Sequence, residues 1–320
     1  MKRHVLILIH GITTDEQPKV REQYTKFLVA VSEAKLPLSG RPCEVQWGVP
    51  VTDRAARPDQ FLSGAEAAVA RRLAEKRPAG EQDRMPGSSG HDWGVWPVRG
   101  GVEKLRRSVV QFGLSDAIYY ASADGEQAVR NTVFEQVFRE LEPHLGDGTV
   151  VLHIVAHSLG VSVAHDFLYA LFGRKFDPDY PKESEPELKP LHDENRQRRD
   201  RWRDQAEQGQ LKLGTFISFA SQLPLFVMRK QKLVERIAAG ERLDPRVIGI
   251  EMERRDVQWA ILFDGDDPLG FRTRALYKET PAICDIQVSS GLGPASAHLG
   301  YWKQEDIVKR CVALLRVNMD

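Results

Sequence analysis

The stretch that decides the fold runs from residue 150 to residue 171 and has the sequence VVLHIVAHSLGVSVAHDFLYAL. Its first seven residues form an apolar, β-branched run with the length of a buried strand. From Val161 onward, apolar residues recur at spacings of three and four, which is typical of a helix. Only a short turn around Ser158 separates the two patterns. The stretch therefore predicts a strand, a sharp turn and a helix in direct succession.

The serine in this turn has the surroundings that an activated nucleophile needs. A serine exposed on a sharp strand-to-helix turn requires small residues two positions away on either side, and here these are Ala156 and Gly160. The N-terminus of the following helix favours negative charge and directs backbone N–H groups towards it. The alternative is that Ser158 only caps the helix, a position that serine favours. We expect Ser158 to be a nucleophile.

The same alternation of strand and helix extends over the rest of the chain. Short Val- and Ile-rich runs predict strands at 4–9, 43–47, 117–120, 149–156, 215–220, 258–263 and 283–289. Helical spacing is found at 23–34, 65–75, 126–141, 161–171 and 305–317. This order is typical of a mostly parallel sheet that is covered on both faces. We expect an α/β protein with a doubly wound sheet, folded as one domain over residues 1–320.

The first predicted strand ends in His10-Gly11-Ile12. Together with the turn at Ser158, this pair of segments resembles the α/β-hydrolase fold, specifically lipase- and esterase-like serine hydrolases with a His-Gly oxyanion loop. The resemblance implies that the backbone N–H groups of Ile12 and Leu159 form an oxyanion hole. The alternative for the first segment is a tight turn with a buried histidine. The substrate-binding residues that we expect are His10, Gly11 and His157.

In this fold the catalytic acid follows the nucleophile in the chain. After the predicted strand at 258–263 come Asp264, Asp266 and Asp267. The resemblance favours Asp267 as the acid of the triad, since Asp-Pro pairs are common at this position in the family, with Asp266 second and Asp264 third. The alternative is a turn, in which Asp and Gly are favoured for backbone reasons. A calcium loop is a weaker alternative because the closing Glu at the required spacing is missing.

One histidine, His298, follows Asp267 in the chain. It lies in a predicted Gly-rich loop between the strand at 283–289 and the closing helix, where the resemblance implies the catalytic base. The order Ser158, Asp267, His298 is the order that this fold requires. The sequence therefore predicts a Ser-His-Asp triad, which needs no metal or organic cofactor.

The composition excludes several other classes. Lys and Arg together number 45, as do Asp and Glu, so the chain lacks the positive charge of a general nucleic-acid binder. No apolar run approaches the roughly 18 to 20 residues that span a bilayer, and no signal peptide is recognised. The cysteines, Cys43, Cys284 and Cys311, are too far apart for a zinc or disulfide motif. We expect a cytoplasmic protein.

Two segments interrupt the alternation. Residues 77–101 are rich in Pro and Gly and predict a long surface loop. Residues 174–210 are crowded with both signs of charge, and their second part, 193–208, predicts a solvated helix with many ion pairs. By position, 174–210 resembles the cap or lid of the hydrolase fold. The alternative is a solvated excursion with no role at the site.

Three functional hypotheses follow. The first is a serine hydrolase that cleaves a carboxylic ester of a small molecule or a lipid. The second is a non-catalytic α/β-hydrolase scaffold used for binding. The third retains the triad but makes the protein an acyltransferase or an amidase, since the triad serves any acyl transfer. The substrate, the acceptor and the oligomeric state are not determined by the sequence.

Overall fold

The computed structural model of the chain describes residues 2–11, 17–47, 120, 123–146, 148–180, 191–228, 230–291 and 293–319. Within these ranges the strands are β1 (Lys2–Ile9), β2 (Cys43–Val45), β3 (Thr149–His157), β4 (Leu211–Phe219), β5 (Trp259–Asp264) and β6 (Ile283–Val288). The α-helices are α1 (Gln17–Glu33), α2 (Ala123–Leu141), α3 (Leu159–Phe176), α4 (Asp193–Glu207), α5 (Leu223–Val227), α6 (Gln231–Ala238), α7 (Pro294–Gly300) and α8 (Glu305–Val317). The predicted helix at 65–75, the predicted loop at 77–101 and most of the predicted strand at 117–120 lie outside the described residues.

The six strands form one sheet in the order β2-β1-β3-β4-β5-β6, and every pairing is parallel. The longest ladder joins β1 to β3, from Lys2 opposite Thr149 to Ile9 opposite Ala156. Both strands are almost wholly buried, which explains their continuous apolar sequences, because a parallel sheet is covered on both faces. The predicted α/β class is confirmed.

Helices flank the sheet in two groups. One group pairs α1 with α8, and their apolar residues share a core with alternate strand residues such as Leu6 and Leu8. Trp302 lies at the centre of this core, with its ring edge-on to Tyr24, Phe27 and Phe219. The other group consists of α2, α3 and α4, which pack on one another. The core is therefore assembled from residues at both ends of the chain.

Strand order determines which loops meet. The chain passes from β1 outward to β2, and β3 then lies against the opposite edge of β1, so the connections diverge between β1 and β3. In open parallel sheets, sites form at the carboxyl ends of the strands near such a switch point. The residues after β1, β3, β4 and β5 are thereby brought to the same edge of the sheet.

A buried ion pair fastens α3 to its neighbour. Arg130 of α2 and Asp166 of α3 lie 3.1 Å apart and both are buried. Burial raises the pKa of Asp166, but the charges of Arg130 and then Lys230 outweigh it, so that the net pKa is lowered. Removing one partner of a buried pair costs about 3–5 kcal/mol. The helix that begins at the candidate nucleophile is therefore firmly anchored.

The structure differs from the sequence prediction at two helices. The predicted solvated helix is present as α4, but one face of it is buried against α2, α3 and β4 by the residues Asn195, Arg199, Trp202 and Arg203. Long arginine stems can cover apolar surface, so a charged sequence conceals this packing. This half of 174–210 thus belongs to the frame of the fold, and a moving cap in the segment stays a prediction. The second difference is that His298 lies on the short helix α7, where a loop was expected.

Candidate active site

Ser158 stands on a strained turn between β3 and α3. Its backbone angles are φ 55° and ψ −127°, a conformation that non-glycine residues rarely adopt. Such a backbone costs about 1–3 kcal/mol and persists only where its surroundings fix it. The Ser158 N–H donates to the carbonyl of Phe219 on β4 at 2.9 Å, and the Ser158 carbonyl accepts from Val161 at 3.0 Å. Hydrogen bonds to β4 and to the first turn of α3 therefore hold Ser158 in its strained backbone conformation.

Two glycines allow this turn to approach the end of β1. A Cβ added at Gly160 would lie 2.2 Å from the carbonyl oxygen of His10. A Cβ added at Gly11 would lie 2.7 Å from the Cβ of Ser158. Real Cβ atoms do not tolerate these distances, so both positions require glycine. The Ser158 turn and the His10-Gly11 segment are consequently in direct contact.

The side chains of Ser158, His298 and Asp267 form one hydrogen-bonded series. Ser158 Oγ lies 3.0 Å from His298 Nε2, and His298 Nδ1 lies 3.0 and 3.1 Å from the two carboxylate oxygens of Asp267. Because the carboxylate only accepts, Nδ1 carries the proton and Nε2 is left as an acceptor for the Ser158 hydroxyl. This is the protonation state in which an imidazole can remove a proton from a serine.

Asp267 is buried and is held by three different donors. Besides His298, the backbone N–H of Leu269 donates to Oδ1 at 2.9 Å and the hydroxyl of Tyr301 donates to Oδ2 at 3.0 Å. Burial raises the pKa of this carboxyl, but the hydrogen bond and charge of His298, followed by the other two donors, outweigh it and the net pKa is lowered. Asp267 therefore stays ionised beside the imidazole.

The other two candidate acids have different surroundings. Asp264 accepts from the N–H of Ser290 at 2.5 Å and from its hydroxyl at 2.7 Å, while its other oxygen accepts from the N–H of Asp266. Burial raises the pKa of Asp264, but these backbone donors outweigh it and lower the net pKa. Asp266 has an exposed side chain. Of the three acids, Asp267 is the one whose carboxylate contacts His298.

His157 fixes the backbone that carries His298. Its Nε2–H donates to the carbonyl oxygen of His298 at 2.8 Å, and the two rings lie 5.0 Å apart. Burial, followed by the nearby charge of His298, lowers the pKa of His157 to about 3. The ring is therefore neutral and acts as a donor to α7. A direct substrate contact by His157 stays a prediction.

His10 is buried and bonded on both sides of its ring. Nδ1–H donates to the carbonyl of Gly11 at 2.5 Å, and Nε2 accepts from the N–H of Trp47 at 3.3 Å. The ring also stacks on Trp47 with an interplanar angle of 7°. Burial lowers the pKa of His10 to about 4, so a neutral ring holds the segment that enters the predicted oxyanion loop. Substrate contacts by His10 and Gly11 stay predictions.

The structure describes one of the two residues that are predicted to donate to the oxyanion. Leu159 is the first residue of α3 and is buried directly beside Ser158, at the helix terminus where backbone N–H groups have no partner within the helix. Ile12 lies outside the described residues. The structure thus describes one of the two predicted donor residues, and the oxyanion hole stays a prediction.

Gln222 is a neighbour of Ser158, and the sequence did not predict this contact. Its Nε2 lies 3.0 Å from Ser158 Oγ, and the residue is buried. It follows β4, in the turn that leads into α5. The signal was therefore the position of this turn after a strand that neighbours β3, but no local pattern shows which side chain of the turn reaches the serine.

Comparison with known proteins leaves the geometry as the guide to function. No family model matches the chain, and neither a curated protein nor a solved structure matches it. In the part of the chain that the structure describes, no three His, Cys, Asp or Glu side chains gather to hold a metal ion. None of the helices described there is long and apolar enough to cross a membrane.

Proposed function

We propose that this chain is a serine hydrolase of the α/β-hydrolase type, lipase- or esterase-like, which cleaves a carboxylic ester. The observation that carries the proposal is the series Ser158, His298 and Asp267, joined by contacts of 3.0 Å. Its setting supports the same assignment, because each member follows a different strand of one parallel sheet, in the chain order that the doubly wound hydrolase arrangement requires.

The proposed reaction begins with attack by Ser158. As Oγ forms a bond to the ester carbonyl carbon, its proton passes to His298 Nε2, and the carbonyl π electrons move onto the carbonyl oxygen. The tetrahedral intermediate then collapses, the bond to the leaving oxygen breaks, and His298 returns the proton to that oxygen. Water repeats both steps on the acyl-enzyme and releases the acid. Asp267 keeps the imidazole oriented and stabilises its protonated form.

The negative charge of the intermediate needs donors that are already in place. In this proposal the N–H groups of Leu159 and Ile12 supply them, and the N-terminus of α3 adds its positive end. One such donor is worth about 3–4 kcal/mol of transition-state stabilisation in enzymes where it has been removed. The position of Leu159 supports this role, because it directly follows Ser158 as the first residue of α3.

A fluorophosphonate probe tests the proposal without a guess at the substrate. The probe phosphonylates a serine only when a base activates it, so native protein is expected to be labelled and a Ser158→Ala variant is not. Thr215→Val, which removes a buried hydroxyl elsewhere in the sheet, serves as the matched control and is expected to keep the label. If folded native protein is not labelled, the proposal is refuted and the hypothesis of a non-catalytic binding scaffold is favoured.

The molecule that accepts the acyl group can be identified from the reaction products. A hydrolase gives the free acid, whereas an acyltransferase gives a new ester when an alcohol is present, and an amidase also releases an amine. Mass analysis of the products with water alone and with an added alcohol separates these outcomes. We propose water as the acceptor and an ester of a small molecule or a lipid as the substrate.

A further inference from the structure

The carboxamide of Gln222 has a defined role toward Ser158 in the resting site. The single hydroxyl proton of Ser158 is directed to His298 Nε2, so any second partner of Oγ has to be a donor. Gln222 therefore presents its N–H to Oγ at 3.0 Å. Among the described residues, Ser158 is the group with which this carboxamide is hydrogen-bonded.

The turn that carries Gln222 is itself held in place. The carbonyl of Ser221 accepts from the N–H of Phe271 at 2.9 Å, and its hydroxyl accepts from Thr273 Oγ1 at 2.9 Å. The preceding residue, Ala220, has φ 49°, a conformation that is uncommon outside glycine. The carbonyl of Gln222 accepts from the first turn of α5. The carboxamide therefore projects from a fixed backbone.

The reaction removes the acceptor from Gln222. Once Ser158 Oγ bonds to the acyl carbon it becomes an ester oxygen, which is a poor acceptor, and the negative charge moves to another atom. Gln222 is only 4% exposed, so its N–H cannot simply turn to water. A buried donor that is left without an acceptor is destabilising. A substrate that fits this site has to supply an acceptor.

The position of that acceptor follows by elimination. In the tetrahedral intermediate the reacting carbon carries Oγ, the oxyanion, the leaving oxygen and the acyl substituent. The oxyanion is assigned to Leu159 and the β1 side, where Gly11 contacts Ser158, and the leaving oxygen has to reach His298. Gln222 follows β4, which borders β3 on the opposite side from β1, and by this elimination it is left with the acyl substituent.

We propose that Gln222 is a substrate-contacting residue that selects an acyl group with a hydrogen-bond acceptor on the carbon next to the carbonyl. The chemical class is an α-alkoxy, α-hydroxy or α-amino acyl ester. A plain hydrocarbon acyl chain leaves the carboxamide unpaired and is disfavoured. This inference rests on the proposed function, because it presumes attack by Ser158.

Two esters of equal shape test it. The p-nitrophenyl esters of methoxyacetate and butyrate differ by one oxygen in place of a CH₂ group. We compare kcat/KM for native protein and for Gln222→Met, which keeps the length of the side chain and removes its donor. For each ester, kcat/KM of the variant is divided by kcat/KM of native protein, which cancels the different intrinsic reactivity of the two esters. The methoxyacetate ratio is expected to fall about tenfold further than the butyrate ratio.

A second variant keeps the test decisive if the first does not fold. Gln222→Glu has the same shape but offers only acceptors, so it is also expected to lose more on methoxyacetate than on butyrate. An equal loss on both esters would assign Gln222 to the oxyanion and would overturn the inference. Unchanged kcat/KM ratios, or no turnover of the methoxyacetate ester, would also overturn it. Fluorophosphonate labelling of native protein runs in parallel, because its absence refutes the proposed function, whereas labelling without ester selection refutes this inference alone.

Discussion

Three imidazoles among the described residues contact a hydroxyl group, and in two of these pairs the hydroxyl belongs to a serine or a threonine. His298 at the carboxyl edge contacts Ser158 at 3.0 Å, and His153 in the middle of β3 contacts Thr215 at 3.1 Å. A search for a hydroxyl beside a histidine would therefore find both pairs. They differ in the backbone of the hydroxyl residue, since Ser158 lies on a strained turn at a helix N-terminus whereas Thr215 lies within β4, beside a shift in its register with β3.

The two histidine–hydroxyl pairs also differ in the group that contacts the second nitrogen of the imidazole ring. His298 Nδ1 faces the carboxylate of Asp267 at 3.0 Å, whereas His153 Nε2 faces the ring of His4 at 3.0 Å. Burial, then the charges of His4 and Arg254, lowers the pKa of His153 to about 3. A histidine that cannot take up a proton near neutral pH cannot serve as a base. The group that faces the second ring nitrogen, more than the hydroxyl, therefore distinguishes the proposed catalytic pair of Ser158 and His298 from the pair of Thr215 and His153.

The largest expected effect comes from removing each histidine in turn. His298→Gln is expected to lower kcat/KM for ester hydrolysis by about 10⁴- to 10⁶-fold, because the members of a triad act as a unit. His153→Gln, the matched control, is expected to change it by less than about threefold, as no reacting atom is near it. Steady-state kinetics on both variants check this. Comparable losses in the two variants would contradict the distinction drawn here.

The next effect separates two carboxylates of the same loop. Asp267→Asn is expected to lower kcat by about 10⁴-fold with little change in stability, because the amide holds the wrong imidazole tautomer. Asp264→Asn removes an acceptor of Ser290 and is expected to reduce the free energy of unfolding while leaving far more activity. Kinetics and urea unfolding are measured on both. A reversed order of activities would assign the acid to Asp264.

A smaller effect is expected from Tyr301, which joins the two carboxylate residues. Its hydroxyl donates to Asp267 and accepts from the N–H of Asp264 at 2.8 Å. Tyr301→Phe is expected to lower kcat/KM roughly ten- to a hundredfold, because a hydrogen bond to a charged group is worth about 1.5–3 kcal/mol. Since that bond helps to lower the pKa of Asp267, the acid limb of the pH profile is expected to move to higher pH. A profile that keeps its position would show that Tyr301 acts only through packing.

The smallest effect concerns stability and pH. The pKa of His153 is about 3 in the fold against 6.5 for an ordinary histidine, so between these values the unfolded chain binds a proton that the folded chain does not. The free energy of unfolding therefore falls as pH drops below 6.5, by up to about 1.4 kcal/mol per pH unit for this residue. His153→Gln is expected to flatten that slope between pH 6.5 and 5.5. Urea unfolding at several pH values measures it, and an unchanged slope would refute it.

The sequence predicted what depends on neighbours along the chain. The turn at Ser158 was visible because a strand, a small-residue turn and a helix follow one another within 22 residues. The helix α7 was missed, since its Pro, Ala, Ser and Gly residues are typical of a loop and its position depends on contacts with Ser290 and Asp267. The choice among three acids needed a resemblance, because the donors that occupy Asp264 come from a residue 26 positions away.

Gln222 marks the limit of the sequence approach. Its approach to Ser158 depends on the order of β3 and β4 in the sheet and on the strained backbone at Ala220, and neither is encoded by a local pattern. The burial of α4 is hidden for a related reason, since the arginine stems that cover its apolar neighbours count as charge in any composition. Long-range packing, rather than residue type, decides both.

The pairing of α1 with α8 has a consequence for biosynthesis. The apolar face of α1, with Tyr24, Phe27 and Val31, is completed by Ile307 and Leu315, which leave the ribosome last among the described helices. At ordinary rates of translation that face waits roughly 15 to 60 seconds for its cover. Ser158 likewise emerges well before Asp267 and His298. The apolar face of α1 is thus exposed on the nascent chain until α8 has been synthesised.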